Sequence, residues 1–116
     1  TPLQALVTLN DAVYVESAQA LARRIVRESD KNDAKARIAL GIELALLREP
    51  KTTEIAALSS LYIEQLKYYQ QYPAEAEKMA SKPLGPLPQN QNSAELAALT
   101  TVANVILNLD EFLTKP

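Results

Sequence analysis

The side chains that could do chemistry in this chain are carboxylates, because its 116 residues include no cysteine and no histidine. Asp110 and Glu111 are adjacent near the end of the chain, and Asp11 lies near its beginning. Two carboxylates act as general acid and base when they share a cleft, but neighbours on a helix point about 100° apart. We therefore expect Asp110 and Glu111 to solvate a helix end or to contact another segment.

The missing residue types exclude several kinds of site. Without cysteine and histidine the chain has no disulfide, no zinc site of the usual type, no haem attachment motif and no Ser-His-Asp or Cys-His catalytic group. Gly41 and Gly85 are the only glycines and lie far apart, so no glycine-rich phosphate loop occurs. We predict no catalytic residue, no cofactor and no metal ion in this domain, and we do not expect it to be an enzyme alone.

The charge balance and hydropathy limit the partners. The chain has 12 basic and 14 acidic residues and a net charge of −2, whereas proteins that bind nucleic acid usually have a basic excess. No apolar run approaches the ~20 residues that span a bilayer. We therefore predict neither a nucleic-acid partner nor a membrane span, and the oligomeric state stays open.

Four tyrosines cluster near the end of one predicted helix. Tyr62 and Tyr69 fall on its apolar side, whereas Tyr68 and Tyr72 stack one turn apart on the other side. Aromatic rings of this kind pack half-buried against a core in most proteins, and this is the role we expect. The alternative is glycan binding by the tyrosine cluster together with a proline-rich loop.

A second polar group lies on the most apolar helix of the chain. Asn104, Asn108 and Glu111 are spaced by four and three residues, so they share one face. A buried asparagine needs hydrogen-bond partners. We expect a bond to a backbone end or a loop, and the alternative is a polar seam at which a second domain docks.

Helical periodicity runs through almost the whole chain and predicts the elements that position these groups. The predicted helices span residues 1–9, 12–29, 34–48, 53–72 and 94–113, and residues 74–80 are predicted to form a short helix or turn. Their predicted N-terminal caps are Thr1 (in a capping box with Gln4), Asp11, Asn32 or Asp33, Thr52 and Ser93. Residues 82–92, KPLGPLPQNQN, are rich in proline and asparagine and are predicted to form a loop.

The last predicted helix has apolar residues around more than half of its circumference, which is typical of a central, buried helix. These residues are Leu96, Leu99, Val102, Ala103, Ile106, Leu107, Leu109 and Leu113. Gly41 weakens its own helix by up to ~1 kcal/mol, and its expected benefit is the close approach of another helix. We predict an all-α fold: a single compact bundle of about five helices over residues 1–116, with the long loop before the last helix.

Three stretches resemble one family. TPLQALVTLND at the start and ANVILNLDEFLTKP at the end resemble the ends of the C-terminal domain of unknown function of planctomycete-type cytochrome-c-like multidomain proteins. LALLREPKTTEIAAL resembles the hairpin of that family, which often has glycine at the position of Leu47. Ala12 stands where a proline often follows the Asn-Asp pair. The resemblance covers Thr1 to Thr114.

The resemblance implies that the chain is the C-terminal fragment of a long, exported protein of the periplasm or cell envelope, with haem in an upstream domain. Our leading hypothesis is a non-catalytic module that packs against upstream domains of the same chain. The candidate docking residues are Thr1, Gln4, Asn10, Asp11, Asn104, Asn108, Asp110 and Glu111. An alternative is that Asp11, Asp110 or Glu111 contributes a carboxylate to a shared active site that acts on envelope polysaccharide.

Overall fold

The computed structural model describes residues 12–30 and 32–114, with side chains described for 15–30 and 32–109. These residues form five helices and no strand: α1 (Ala12–Glu28), α2 (Ala34–Leu46), α3 (Thr52–Gln71), α4 (Pro73–Ser81) and α5 (Ser93–Thr114). The all-α prediction is confirmed. The predicted helix over residues 1–9 and the caps at Thr1 and Asp11 lie outside the described residues.

Helix α5 is the centre of the bundle. Every side chain from Leu96 to Ile106 is buried, and each of the other four helices packs against α5. A helix surrounded in this way must be apolar on nearly all sides, as its sequence predicted. Leu113 lies outside the described side chains.

The core consists of two parts that meet on α5. One part joins α1, α4 and the end of α3 to α5, mostly through alanines, whose small side chains allow close packing. The other joins α2 and the first half of α3 to α5 through isoleucine, leucine and valine. At Gly41 of α2, an added Cβ would lie 2.7 Å from Cδ1 of Ile25 and 3.1 Å from Cδ1 of Ile106. This glycine therefore permits the predicted close approach of helices.

Two of the predicted caps are wrong by one residue. Helix α3 already begins at Thr52, because Glu54 accepts the backbone N–H of Lys51 at 3.0 Å and thereby makes Lys51 the cap position. Helix α5 begins at Ser93, and the amide oxygen of Asn92 accepts the N–H of Glu95 at 3.0 Å. Asparagine caps a helix as well as serine does, so the capping role moves to Asn92.

The remaining connections agree with the sequence pattern. Asp33 caps α2 by accepting the backbone N–H of Lys35 at 3.1 Å. Residues 82–92 contain neither helix nor strand, so the predicted loop is confirmed. Among the described helices, none is long and apolar enough to cross a membrane.

Candidate functional site

The α2–α3 hairpin, residues 47–51, begins with a strained residue. Leu47 has φ 55° and ψ 38°, and its N–H donates to the carbonyl of Glu43 at 3.0 Å. This left-handed conformation is unfavourable by about 1 kcal/mol for a residue with a Cβ, whereas glycine adopts it freely. The Leu47 side chain is nevertheless 86 % exposed. The hairpin therefore has the turn that a glycine favours, although the sequence has a leucine.

An ion pair fixes the same hairpin. Arg48 donates from Nη1 and Nη2 to the two carboxylate oxygens of Glu54, at 3.0 and 2.7 Å. Nη1 also donates to the carbonyl of Glu49 at 3.1 Å, and Glu54 accepts the N–H of Lys51. The hydrogen bonds from Arg48 lower the pKa of Glu54, and burial opposes them less strongly. Glu54 thus stays ionised in the first turn of α3, where the helix dipole also favours negative charge.

A groove of about 320 Å³ lies beside the hairpin, between α3 and α5. This α3/α5 groove is lined by Lys51, Thr53, Glu54, Ala57, Leu58, Val105 and Leu109. Its surface is mostly apolar, and the one carboxylate among its described lining residues, that of Glu54, already accepts hydrogen bonds from Arg48. The described lining is therefore suited to binding an apolar chain and offers no pair of groups for acid–base chemistry.

The predicted asparagine face lies next to this groove on α5. Asn104 is buried and Asn108 is half-buried. Nδ2 of Asn108 donates to the backbone carbonyl of Asn104 at 2.7 Å and to its Oδ1 at 3.1 Å. The partner is thus one turn away within α5, rather than a helix end or a loop. A docking role for these two asparagines stays a prediction.

The other candidate docking residues lie outside the described side chains; they are Thr1, Gln4, Asn10, Asp11, Asp110 and Glu111. The hypothesis of a shared active site depends on three of these carboxylates, so it also stays a prediction. Within the described part of the chain, no group of three or more acidic residues could hold a metal ion.

The four clustered tyrosines divide into two pairs. Tyr69 is buried and Tyr62 half-buried, and burial raises the pKa of both. Tyr68 and Tyr72 are 46 % and 50 % exposed, with ring centroids 4.8 Å apart and planes inclined by 38°. Tyr68 also meets Tyr69 edge to face at 5.1 Å. A glycan could therefore reach the faces of Tyr68 and Tyr72 alone among the four, and glycan binding stays a prediction.

Sequence reasoning missed a fully buried glutamine on α1. Nε2 of Gln19 donates to the carbonyls of Met79 and Lys82, both at 2.6 Å. Its Oε1 accepts the N–H of Leu84 at 3.1 Å. The hydrogen bonds that this amide forms with described residues therefore all go to the end of α4 and the start of the following loop. The sequence did contain a signal of this burial: Gln19 directly follows Ala18, which belongs to the apolar stripe of the helix.

Arg23 continues this contact one turn further along α1. Its Nη2 donates to the carbonyl of Ala80 at 3.0 Å and to the carbonyl of Gly85. A cation suits the carbonyls at the C-terminal end of α4, because the helix dipole is negative there. Gln19 and Arg23 together fasten residues 79–85 to α1, and we refer to them as the α1 latch.

Comparison with known proteins identifies one family. Residues 1–62, just over half of the chain, match the family model of PSD1, described as a protein of unknown function (DUF1553). The matched part includes the hairpin and the α3 side of the groove, whereas Tyr68, Tyr72 and the 82–92 loop lie beyond it. The searches of curated proteins and of solved structures found no match. The chain therefore belongs to the PSD1 family of proteins of unknown function (DUF1553).

Proposed function

We propose that this domain is a non-catalytic helical module that packs against upstream domains of a long, exported, cytochrome-c-like chain of planctomycete type. The α3/α5 groove is part of the contact surface. In this proposal the haem belongs to an upstream domain, this domain holds no cofactor, and the whole chain works in the periplasm or cell envelope.

The observation that carries the proposal is the apolar lining of the α3/α5 groove. Leu58 and Val105 are buried core residues that form the floor of the groove, and the exposed Ala57 forms part of its rim. Covering apolar surface contributes about 25 cal/mol per Å², and exposed apolar patches often mark contact sites. Leu47 is a second exposed apolar side chain, and it lies in the hairpin that ends at Lys51, one of the residues that line the groove.

The family match supports this choice of surface. Five of the seven residues that line the groove, from Lys51 to Leu58, fall inside the region that matches PSD1. The exposed tyrosine pair and the proline-rich loop fall outside it. A role shared by the family is therefore better supported for the groove than for the tyrosines.

The test is a calorimetric titration of the 116-residue chain with the upstream part of its parent polypeptide, expressed separately. We expect saturable binding. Ala57→Glu places a charge in the apolar groove, where its desolvation opposes docking, and should raise Kd by about tenfold or more. Because Ala57 is exposed, the variant should fold normally.

Ala56→Glu is the matched control. Ala56 is also exposed and is the neighbouring residue on α3, but it does not line the groove. Its Kd should stay close to that of the unmodified chain. The proposal is wrong if the unmodified chain gives no binding heat, and the groove is the wrong surface if both variants weaken binding equally.

A further inference from the structure

The α1 latch holds the loop so that it forms one wall of a second cleft. This cleft has a volume of about 430 Å³, within the range of small-molecule sites. It is lined by Arg23, Val26, Arg27, Pro88, Gln91 and Leu96. It shares no residue with the α3/α5 groove, so its role is independent of the docking proposal.

The wall that the loop contributes is itself ordered by backbone contacts. The N–H of Gln91 donates to the carbonyl of Pro88 at 3.3 Å, and Asn90 between them has a φ of 65°. Asparagine is one of the residues that tolerates this left-handed conformation. The turn places Pro88 and Gln91 opposite α1, next to Leu96 in the first turns of α5.

The described part of the chain lines the cleft with two guanidinium groups and no carboxylate. Arg23 and Arg27 are four residues apart and therefore share one face of α1. Among the described residues, neither forms an ion pair with a carboxylate. Arg24 differs, because its Nε donates to the carboxylate of Glu28 at 2.6 Å. The cleft therefore carries positive charge that the described side chains do not neutralise.

Arg23 is the more buried of the two arginines that line the cleft. Its hydrogen bonds go to neutral carbonyls, and its Nε–H is buried without a hydrogen-bond partner among the described residues. Burial lowers the pKa of Arg23. A partly desolvated cation is stabilised when an anion lies close enough to accept its hydrogen bonds.

We infer that this cleft binds a small organic anion, whose carboxylate or phosphate group pairs with Arg23 and Arg27. An apolar part of the ligand contacts Val26, Pro88 and Leu96. Planar guanidinium groups match the geometry of both kinds of oxyanion. The apolar walls account for the organic part, because inorganic ions gain nothing from them.

The test is an NMR titration of the ¹⁵N-labelled 116-residue chain at constant ionic strength. The probes are benzoate and phenyl phosphate, with acetate and inorganic phosphate as counterparts that lack the ring. We expect saturable shifts at the backbone N–H of Arg27 and Leu96 and at Nε–H of Arg23. The two aromatic probes should bind about fivefold tighter or more, because they bury apolar surface. The tighter of these two probes identifies the preferred anionic group.

The variant Arg27→Gln removes one charge and leaves the α1 latch intact, so it should fold, as circular dichroism can verify. We expect its Kd for the better probe to rise by about tenfold. Arg24→Gln is the control, because Arg24 is paired with Glu28 and does not line the cleft. Absence of saturable shifts with all four probes would overturn the inference. Equal weakening by both variants would do so as well, since it indicates unspecific attraction by net charge.

Discussion

Two connections of this chain are held in place by different means. The loop over residues 82–92 has its first residues fastened to α1 by the buried side chain of Gln19 and the half-buried side chain of Arg23. The α2–α3 hairpin is held by an ion pair between Arg48 and Glu54, and it begins with Leu47, which is both strained and exposed.

The difference follows from the length of the two connections. Ordering a residue costs about 1–2 kcal/mol of backbone entropy, so a long loop keeps one conformation only if buried hydrogen bonds repay that cost. A short hairpin has less entropy to lose and can tolerate one unfavourable residue. We therefore expect the α1 latch to matter most for stability and the hairpin to matter most for contacts with a partner.

The sharpest way to test this contrast is to remove the Gln19 side chain. Gln19→Ala leaves the carbonyls of Met79 and Lys82 and the N–H of Leu84 without their partner in a partly buried place. Each unsatisfied buried group costs about 1–3 kcal/mol. We expect the free energy of unfolding to fall by about 4 kcal/mol, as measured by urea denaturation.

Gln70→Ala serves as the control for this substitution, because Gln70 is exposed on α3. It should change the free energy of unfolding by no more than about 0.5 kcal/mol. If Gln19→Ala costs as little as this control, the loop is held by other contacts and the contrast between the two connections disappears.

The helices were predictable because apolar periodicity is a local property of the sequence. The bounds of all five described helices agree with the predicted ones to within about two residues. The burial of α5 was predictable for the same reason, since its own apolar residues, such as Leu99 and Ile106, lie on nearly all sides of the helix.

Contacts between distant segments were not predictable in this way. Gln19 and its acceptor Met79 are 60 residues apart, and nothing in the sequence indicates which loop a buried amide will bind. The left-handed conformation of Leu47 was also missed. Leucine is a good helix former, so the predicted helix over residues 34–48 includes it, although the chain must reverse before Pro50. The α3/α5 groove depends on the spacing between two helices, which periodicity does not determine.

Removing the charge of Glu54 should have a smaller effect than removing Gln19. Glu54→Gln takes the carboxylate away from the partly buried Arg48 and weakens the contact with Lys51. We expect the free energy of unfolding at pH 7 to fall by about 2 kcal/mol, the usual size for a hydrogen bond to a charged group. Glu49→Gln in the same hairpin is the control. Because Glu49 is exposed, this substitution should leave the free energy of unfolding almost unchanged.

The same ion pair predicts a pH dependence with a definite sign. The pKa of Glu54 in the folded chain lies below its ordinary value of 4.5, so folding favours the ionised form. The stabilisation is complete above that value and is lost as the pH falls through the lower, folded-state pKa. The gap in unfolding free energy between the unmodified chain and Glu54→Gln should therefore narrow below about pH 4.5. A gap that stays constant down to pH 2 would show that the carboxylate's charge is not involved.

The smallest expected change is a gain in stability at Leu47. Leu47→Gly relieves the left-handed strain, worth about 1 kcal/mol, but it also makes the unfolded chain more flexible. We expect a net increase of about 0.5 kcal/mol in the free energy of unfolding, measured by urea denaturation. Leu47→Ala keeps a Cβ and should give no gain, so an equal gain in both variants would contradict strain as the cause.

The same variant separates stability from binding, since the two properties should move in opposite directions. Glycine improves the turn but removes an exposed apolar side chain from the hairpin that ends at Lys51 of the α3/α5 groove. If upstream domains dock on this surface, Leu47→Gly stabilises the isolated domain while it raises Kd in the calorimetric titration. If Kd is unchanged, Leu47 contributes nothing to docking, and its strained conformation is only a cost of reversing the chain. A leucine that lowers stability and raises affinity would show that the hairpin is retained for contact with a partner, in contrast to the buried latch on α1.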